Sequence, residues 1–254
     1  MGRGAVDGVP LILSVISSTV PPVENATAYE PLTESPDTIA ASTAEVRAAH
    51  DVLAELYATR LADALDRMPI DRAVLGLFCE LIRTAGVGDE VGDIGCGTGR
   101  LAPYLAAQGL APRGVDLSPG MIEVARREQP GVPFEVADVR ALPFADASLA
   151  GAVCWYSLMY LPPGERPAAF AELARVVRPG GYVATGFKAG DDQRRRGGRS
   201  AGVGVVFDVW WQSPEEVQQR LSDAGFETVF RGWRPPEEDY EVSEQGFVVA
   251  RRKH

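Results

Sequence analysis

Histidine is nearly missing from this chain: His50 and His254 are the 2 among 254 residues. An imidazole-built metal centre is thereby nearly excluded, because such sites draw on several ligands at once. Cysteine is also scarce, with 3 residues, at positions 79, 96 and 154. An odd number without paired spacing fits neither a disulfide framework nor a zinc site, and points to a reducing, cytoplasmic compartment. No stretch reaches the roughly 20 apolar residues of a membrane span. A basic excess is lacking too: the formal net charge is −10, and nucleic-acid phosphates call for the opposite sign.

What the chain does have is 46% hydrophobic residues, enough for one sizeable core. VPLILSVISSTV (9–20) has the look of a signal peptide. Its upstream charges, however, are one of each sign, Arg3 and Asp7, and its apolar run is short and broken by serines. The segment 1–41 is rich in Pro, Thr, Ser and Ala and shows no period, so it reads as a flexible tail before a single domain at 42–254. A helix is expected from Thr43 to Leu65, with Val46, Leu53, Leu56 and Leu61 on one face. A second is expected from Asp71, as its cap, to Thr84, stopping near Gly86.

The most informative stretch is VGDIGCGTGR (91–100). Val91 and Ile94 suit a buried strand. Gly95, Gly97 and Gly99 let the chain turn sharply and let a ligand approach backbone. Thr98 is placed to cap a helix through Leu101, Leu105 and Ala106, whose first N–H groups would face a bound group. Arg100 stands where the dinucleotide fingerprint needs its last glycine, which disfavours a nicotinamide dehydrogenase. Further strand–helix alternation follows. One strand runs to Asp116 within 113–127, a third to Asp138 within 132–144, and a fourth lies in 147–161. A helix, a Pro-Gly-Gly turn and a fifth strand occupy 172–187. FETVFRGW (226–233) and GFVVARR (246–252) look like the last two strands, and Lys188 to Gly204 reads as a long connector without packing period.

The DxGxGxG spacing, with the collinear signals after it, resembles the class I S-adenosylmethionine-dependent methyltransferases over roughly Ala44 to Arg252. The likeness is nearest to bacterial small-molecule members, through WYSL (155–158) and the segment Ser213 to Phe226. It implies an α/β, Rossmann-like, doubly wound seven-stranded sheet, mostly parallel, with the final strand antiparallel between its neighbours and N-terminal helices forming a lid. It implies S-adenosyl-L-methionine as cofactor and S-adenosyl-L-homocysteine as product. Gly95, Cys96, Gly97 and Gly99 would line the methionyl part, with Cys96 a small filler and Asp93 holding the amino group. Asp116 would take the ribose hydroxyls. Asp138 would accept from the adenine amine while Leu117, Met121 and Val139 sandwich the ring. Trp155 would border the methionine end, and Tyr57 would contact the cofactor from the lid.

The acceptor side is thinner. Tyr160 and His50 are the catalytic candidates, Tyr160 standing where close relatives often carry histidine. Each of these positions has a plainer reading. The acids can be turn or helix-start residues, Trp155 and Tyr156 can be core, and a histidine on a helix is often solvated. Arg194, Arg195, Arg196 and Arg199 either steer an anionic acceptor or form a solvated loop. Phe207, Trp210 and Trp211 line an acceptor pocket or pack as core, and Glu165 and Arg166 look like surface helix-start residues. The expected activity is methyl transfer by in-line displacement to a small molecule in bacterial specialised metabolism, by a monomer or homodimer that engages neither membrane nor nucleic acid. The alternative is a non-catalytic cofactor-binding regulatory or assembly module.

Overall fold

The apolar runs become strands and the amphipathic runs between them become helices, in the order that a parallel sheet with crossovers requires. The computed structural model describes residues 35–197, 203–238 and 241–254. Along the chain, α1 (Pro36–Arg60), the single turn α2 (Ala64–Arg67) and α3 (Pro69–Ala85) precede β1 (Glu90–Ile94). Next come α4 (Ala102–Ala107), β2 (Ala111–Asp116), α5 (Pro119–Glu128), β3 (Phe134–Val136), β4 (Leu149–Trp155), α6 (Arg166–Val176) and β5 (Val177–Lys188). β6 (Arg194–Gly197), β7 (Phe207–Trp210), α7 (Pro214–Asp223), β8 (Phe226–Arg234) and β9 (Gln245–Arg252) complete the order.

Seven strands pair as β3-β2-β1-β4-β5-β9-β8. β9 is antiparallel to both β5 and β8, as the resemblance implied, and β1 to β5 pair in parallel. Winding runs outward in both directions from β1 and β4, so their carboxyl ends form the switch point at which open α/β sheets bind ligands. Each sheet face carries its own core. Leu75, Phe78 and Ile82 of α3 pack on Val91, Val153, Ala184 and Val249. Phe170 and Leu173 of α6 and Leu221 of α7 pack on Ile94, Val183 and Val248 on the other face. Burial of each such side chain is worth about 1.5–3 kcal/mol. α1 lies on neither face: Val46, Ala49 and Leu53 pack against Met121 and Val124 of α5 and Phe207 of β7.

Several boundaries differ from the sequence reading. α1 starts at Pro36, with Ser35 accepting from the Thr38 amide at 3.2 Å, so part of the expected tail is helix. Residues 1–34, including the run at 9–20, lie outside the described residues. The helix stops at Arg60, short of Leu65, and α2 follows separately. α3 begins at Pro69, with proline supplying its fixed φ in the first turn. Asp71 therefore sits inside that turn and is not its cap, while Gly86 ends the helix at φ 63° as expected. Thr98 caps nothing either, because α4 starts only at Ala102. The connector after Lys188 is in part structured: β6 pairs antiparallel with β7 as a separate ribbon.

Asp71 is instead the centre of a buried polar knot. It accepts from Arg234 Nε at 2.7 Å and from the Tyr156 hydroxyl at 3.1 Å, and both charged side chains are fully buried. Arg234 also donates from two nitrogens to Glu241, each at 2.7 Å. The knot joins α3 to the ends of β4 and β8. Removing one member of a buried pair costs more than the pair is worth, because its partner's charge is left stranded. Asp71→Ala should lower unfolding free energy by about 3 kcal/mol, the low end of such losses because Glu241 remains on Arg234. Denaturant titration of the variant beside Asp71→Ala/Arg234→Leu/Glu241→Gln checks it: the triple variant, which strands no charge, should recover much of the loss.

Candidate functional site

At the carboxyl end of β1 the backbone leaves the sheet through Gly95, Gly97 and Gly99, at φ 73°, 54° and 75°. These are left-handed values that favour glycine. The loop is fastened on two sides. Gly95 and Cys96 amides donate to the Val115 carbonyl at 2.7 and 2.9 Å, and the Gly97 amide donates to Asp116 Oδ2 at 2.8 Å. On the other side Ser157 donates its hydroxyl to the Ile94 carbonyl at 2.7 Å. A Cβ on Gly95 would stand 2.2 Å from that of Ser157, so glycine is required there on space as well as on φ.

Two carboxylates flank this loop. Asp93 is 1% exposed and its Oδ2 has no partner. Burial pushes its carboxyl up to about 7, with Arg100 opposing and Asp116 adding to the shift. Asp116 accepts from the Ser118 amide at 2.9 Å as well as from Gly97, and burial raises its carboxyl too. Each Asp116 oxygen has one of these donors and keeps a lone pair for another. Cys96 is buried beside them with its thiol held well above the usual range by burial, which makes it the unreactive filler of the sequence reading.

Asp138 lies two positions past the short β3. Its Oδ1 accepts from the Arg140 amide at 2.8 Å and Nε at 2.9 Å, and its Oδ2 from Arg140 Nη2. Burial pushes its carboxyl up, but hydrogen bonds and charge from Arg140 outweigh this and hold it below the ordinary range. Leu117 and Val139 are half-buried, and they pack against different clusters. Met121 is wholly buried under α1, and its Sδ lies 4.0 Å from where a Cβ on Gly97 would stand.

The aromatic candidates divide. Trp155 turns its indole into the core, stacked on Phe247 at 5.4 Å, and Tyr156 reaches back to Asp71. Their rings serve packing: Trp155 ends β4 on the α3 face, and Tyr156, just past the strand at φ 60°, turns to the same side. His50, Tyr57, Tyr160 and Phe207 instead converge. The imidazole lies 4.7 Å from the Tyr160 ring, 5.2 Å from Phe207 and 6.1 Å from Tyr57 between centroids. The Tyr57 and Tyr160 hydroxyls are hydrogen-bonded to each other and both are raised by burial, so they stay protonated near neutrality. His50 Nδ1 sits 2.8 Å from the Val46 carbonyl. A carbonyl only accepts, so Nδ1 carries the proton and Nε2 of the neutral ring keeps its lone pair.

The arginine run does not present a row of uncommitted cations. Arg196 donates to both oxygens of Glu45 at 2.8 Å and to Asp208, and Arg194 also reaches Asp208. Arg195 pairs with Asp191 and lies 4.2 Å over the Trp211 ring. Arg199 lies outside the described residues. Trp210 is buried. Arg166, expected at the surface, is fully buried on Asp192 and Glu216, because the starts of α6 and α7 meet there. Glu165 accepts from Arg140 at 2.9 Å. Sequence reasoning missed Ser157, Arg140 and Asp51. Ser157 stands out only once β4 lies beside β1, and Asp51 reads as one more charge on a helix's outer face.

Comparisons with known proteins agree with this geometry. Residues 91–181 match the family model of a methyltransferase domain. The malonyl-acyl-carrier-protein O-methyltransferase of Serratia marcescens is 38% identical over 96 residues, 38% of this chain and 37% of that one. The demethylmenaquinone methyltransferase of Renibacterium salmoninarum is 31% identical over 152 residues, 60% of this chain and 59% of that one. The matches thus span between about a third and three fifths of those relatives' length. Among solved structures, the 1,6-didemethyltoxoflavin-N1-methyltransferase of Burkholderia thailandensis, with its substrate and S-adenosylhomocysteine bound, shares the fold. Its TM-score is 0.63 at 21% identity, over 89% of this chain and 93% of that one. The chain carries a Rossmann-like methyltransferase domain. The family-model match and the named relatives make it similar to S-adenosylmethionine-dependent methyltransferases.

Asp93 gives this site a pH signature. Its folded-state carboxyl titrates near 7 against an ordinary 3.8. Between those values the folded chain binds the extra proton, so stability falls as pH rises through the window and is flat above it. Asp93→Asn removes that penalty. In chemical unfolding of the protein without cofactor, the variant's advantage over wild type should grow from pH 5 to pH 8, up to a few kcal/mol. A constant difference would show that Asp93 is ionised throughout.

Proposed function

We propose that this protein transfers the methyl group of S-adenosyl-L-methionine to a hydroxyl or carboxyl oxygen of a small-molecule acceptor. The observation that carries the reading is the buried Asp93, whose Oδ2 has no hydrogen-bond partner at the foot of the glycine loop, beside Asp116 with its open lone pairs. A carboxylate without a partner in a dry site is costly unless a cation meets it, and the methionyl ammonium is such a cation. The residues fit the rest of the cofactor too. Asp116 has capacity for the ribose hydroxyls, the half-buried Leu117 and Val139 are the side chains left to flank an adenine, Met121 being wholly buried under α1, and Gly95, Cys96, Gly97 and Gly99 would admit the methionyl chain. The curated relatives support an oxygen acceptor, since several bear names of O-methyltransferases.

When bound, the cofactor supplies an electrophilic methyl on a sulfonium, and the protein's task is placement and exclusion of water. His50 stands on α1, with its Nε2 lone pair among Tyr57, Tyr160 and Phe207. It takes the proton from the acceptor hydroxyl as the oxygen attacks. Of the two protonated tyrosines one donates to the other, which leaves a single hydroxyl hydrogen to donate to that oxygen and orient it, and Phe207 supplies an apolar wall. No described helix is long and apolar enough to cross a membrane. We place the protein in the cytoplasm, as a monomer or homodimer acting on a small molecule of bacterial specialised metabolism.

Isothermal calorimetry with S-adenosylhomocysteine tests the cofactor assignments. Asp116→Ala should lose about 1–3 kcal/mol of binding free energy, the usual loss when a charged acceptor is removed. Affinity equal to wild type would discard Asp116 as the ribose ligand. A screen of hydroxylated and carboxylated acceptors tests the rest: His50→Ala should slow transfer by roughly 10²–10⁴-fold while S-adenosylhomocysteine affinity is kept. Full rate in that variant would remove His50 as the base.

A further inference from the structure

Helix α1 is tied to the two loops that follow Asp116 and Asp138. Asp51 Oδ1 accepts from the Ser118 hydroxyl at 2.6 Å and from the Gly120 amide at 2.8 Å, both at the start of α5, directly after Asp116. The Ser118 hydroxyl accepts in turn from the Met121 amide at 3.0 Å, so Asp51 completes the cap of α5 from another helix. The fit is close: a Cβ on Gly120 would stand 3.0 Å from Asp51 Cα. Arg140, while gripping Asp138, donates from Nη2 to Thr43 Oγ1 of α1 at 3.2 Å and from Nη1 to Glu165 at 2.9 Å. Glu55 adds two hydrogen bonds from Arg127 of α5, at 2.6 and 3.0 Å. At the other side of α1, Glu45 holds Arg196 of the β6–β7 ribbon. His50 is next in sequence to Asp51 and faces the aromatic cluster.

We propose that Asp51 and Arg140 are positioning residues. They clamp α1 to the loops behind the two cofactor acids, and so make the placement of His50 depend on whether the cofactor site is occupied. The inference rests on the cofactor reading above. A ligand bridging the 116 and 138 loops fixes the two anchors at one separation, and α1, held at both, is fixed with them. Contacts of this exposed, charge-assisted kind are individually modest, so each anchor should change affinity by about fivefold.

His50 and His254 are the 2 histidines of the chain, so imidazole signals in NMR report on His50 directly once His254→Gln has assigned the other. In wild-type full-length protein, S-adenosylhomocysteine should shift the His50 signal and slow amide exchange across α1. Asp51→Ala and Arg140→Met should each bind S-adenosylhomocysteine about fivefold more weakly and lose the His50 response. Asp51→Asn, which keeps an acceptor oxygen for Ser118 and Gly120, should restore most of it. A gentler variant, Gly120→Ala, pushes on the same contact and should blunt the response if Asp51→Ala fails to fold. A full His50 shift in Asp51→Ala, or in Gly120→Ala and Arg140→Met, overturns the clamp and leaves the cofactor reading intact. A wild-type protein that does not bind S-adenosylhomocysteine overturns both.

Discussion

Three backbone N–H groups hold the site together. Gly95 and Cys96 both donate to Val115, and Gly97 donates to the side chain of Asp116. Parallel pairing of β1 with β2 sets Ile94 opposite Val115, so the loop leaving one strand is fastened to the end of the next. Asp116 therefore has two tasks, shaping the loop and presenting its remaining lone pairs. The positive φ angles of the glycines are what let these donors converge. With the loop so fixed, Asp93 is sealed beneath it and the start of α5 is set for contact with α1.

Electrostatics and burial pull in opposite directions around this loop. Burial drives Asp93 and Asp116 toward their neutral forms, whereas the Arg140 grip keeps Asp138 ionised. Charge is thus disfavoured at Asp93 and Asp116, and at Asp138 it is met by the Arg140 guanidinium. By contrast the Asp71–Arg234–Glu241 knot sets two carboxylates on one guanidinium, and each is hydrogen-bonded to it. It serves the fold, holding Tyr156 and the last strands against α3.

Much of this was legible in the sequence because it rests on backbone requirements. Gly95, Gly97 and Gly99 need no tertiary partner to announce a turn, and Asp116 stands where a strand must end. The order of the strands followed from alternation, and the antiparallel β9 from family likeness alone. What stayed hidden depends on residues far apart in sequence. Asp71 looks like a helix cap until Arg234 comes to meet it across 163 positions. Arg166 looks exposed until Asp192 and Glu216 close over it. The arginine run looks basic until Glu45, Asp191 and Asp208 are counted in space. Propensity reads φ and periodicity, and it is blind to such pairings.

The insertion of β9 between β5 and β8 carries a consequence for assembly. The strand that joins the two portions of the sheet follows both of them along the chain, and residues 245–252 bond to β5 on one side and β8 on the other. Until those residues are in place, the β5 edge of the sheet stands open and β8 has no strand to join it. Such edges invite pairing with another chain. Arrival of this strand, more than closure of the glycine loop, takes the central β5 edge out of reach of such pairing.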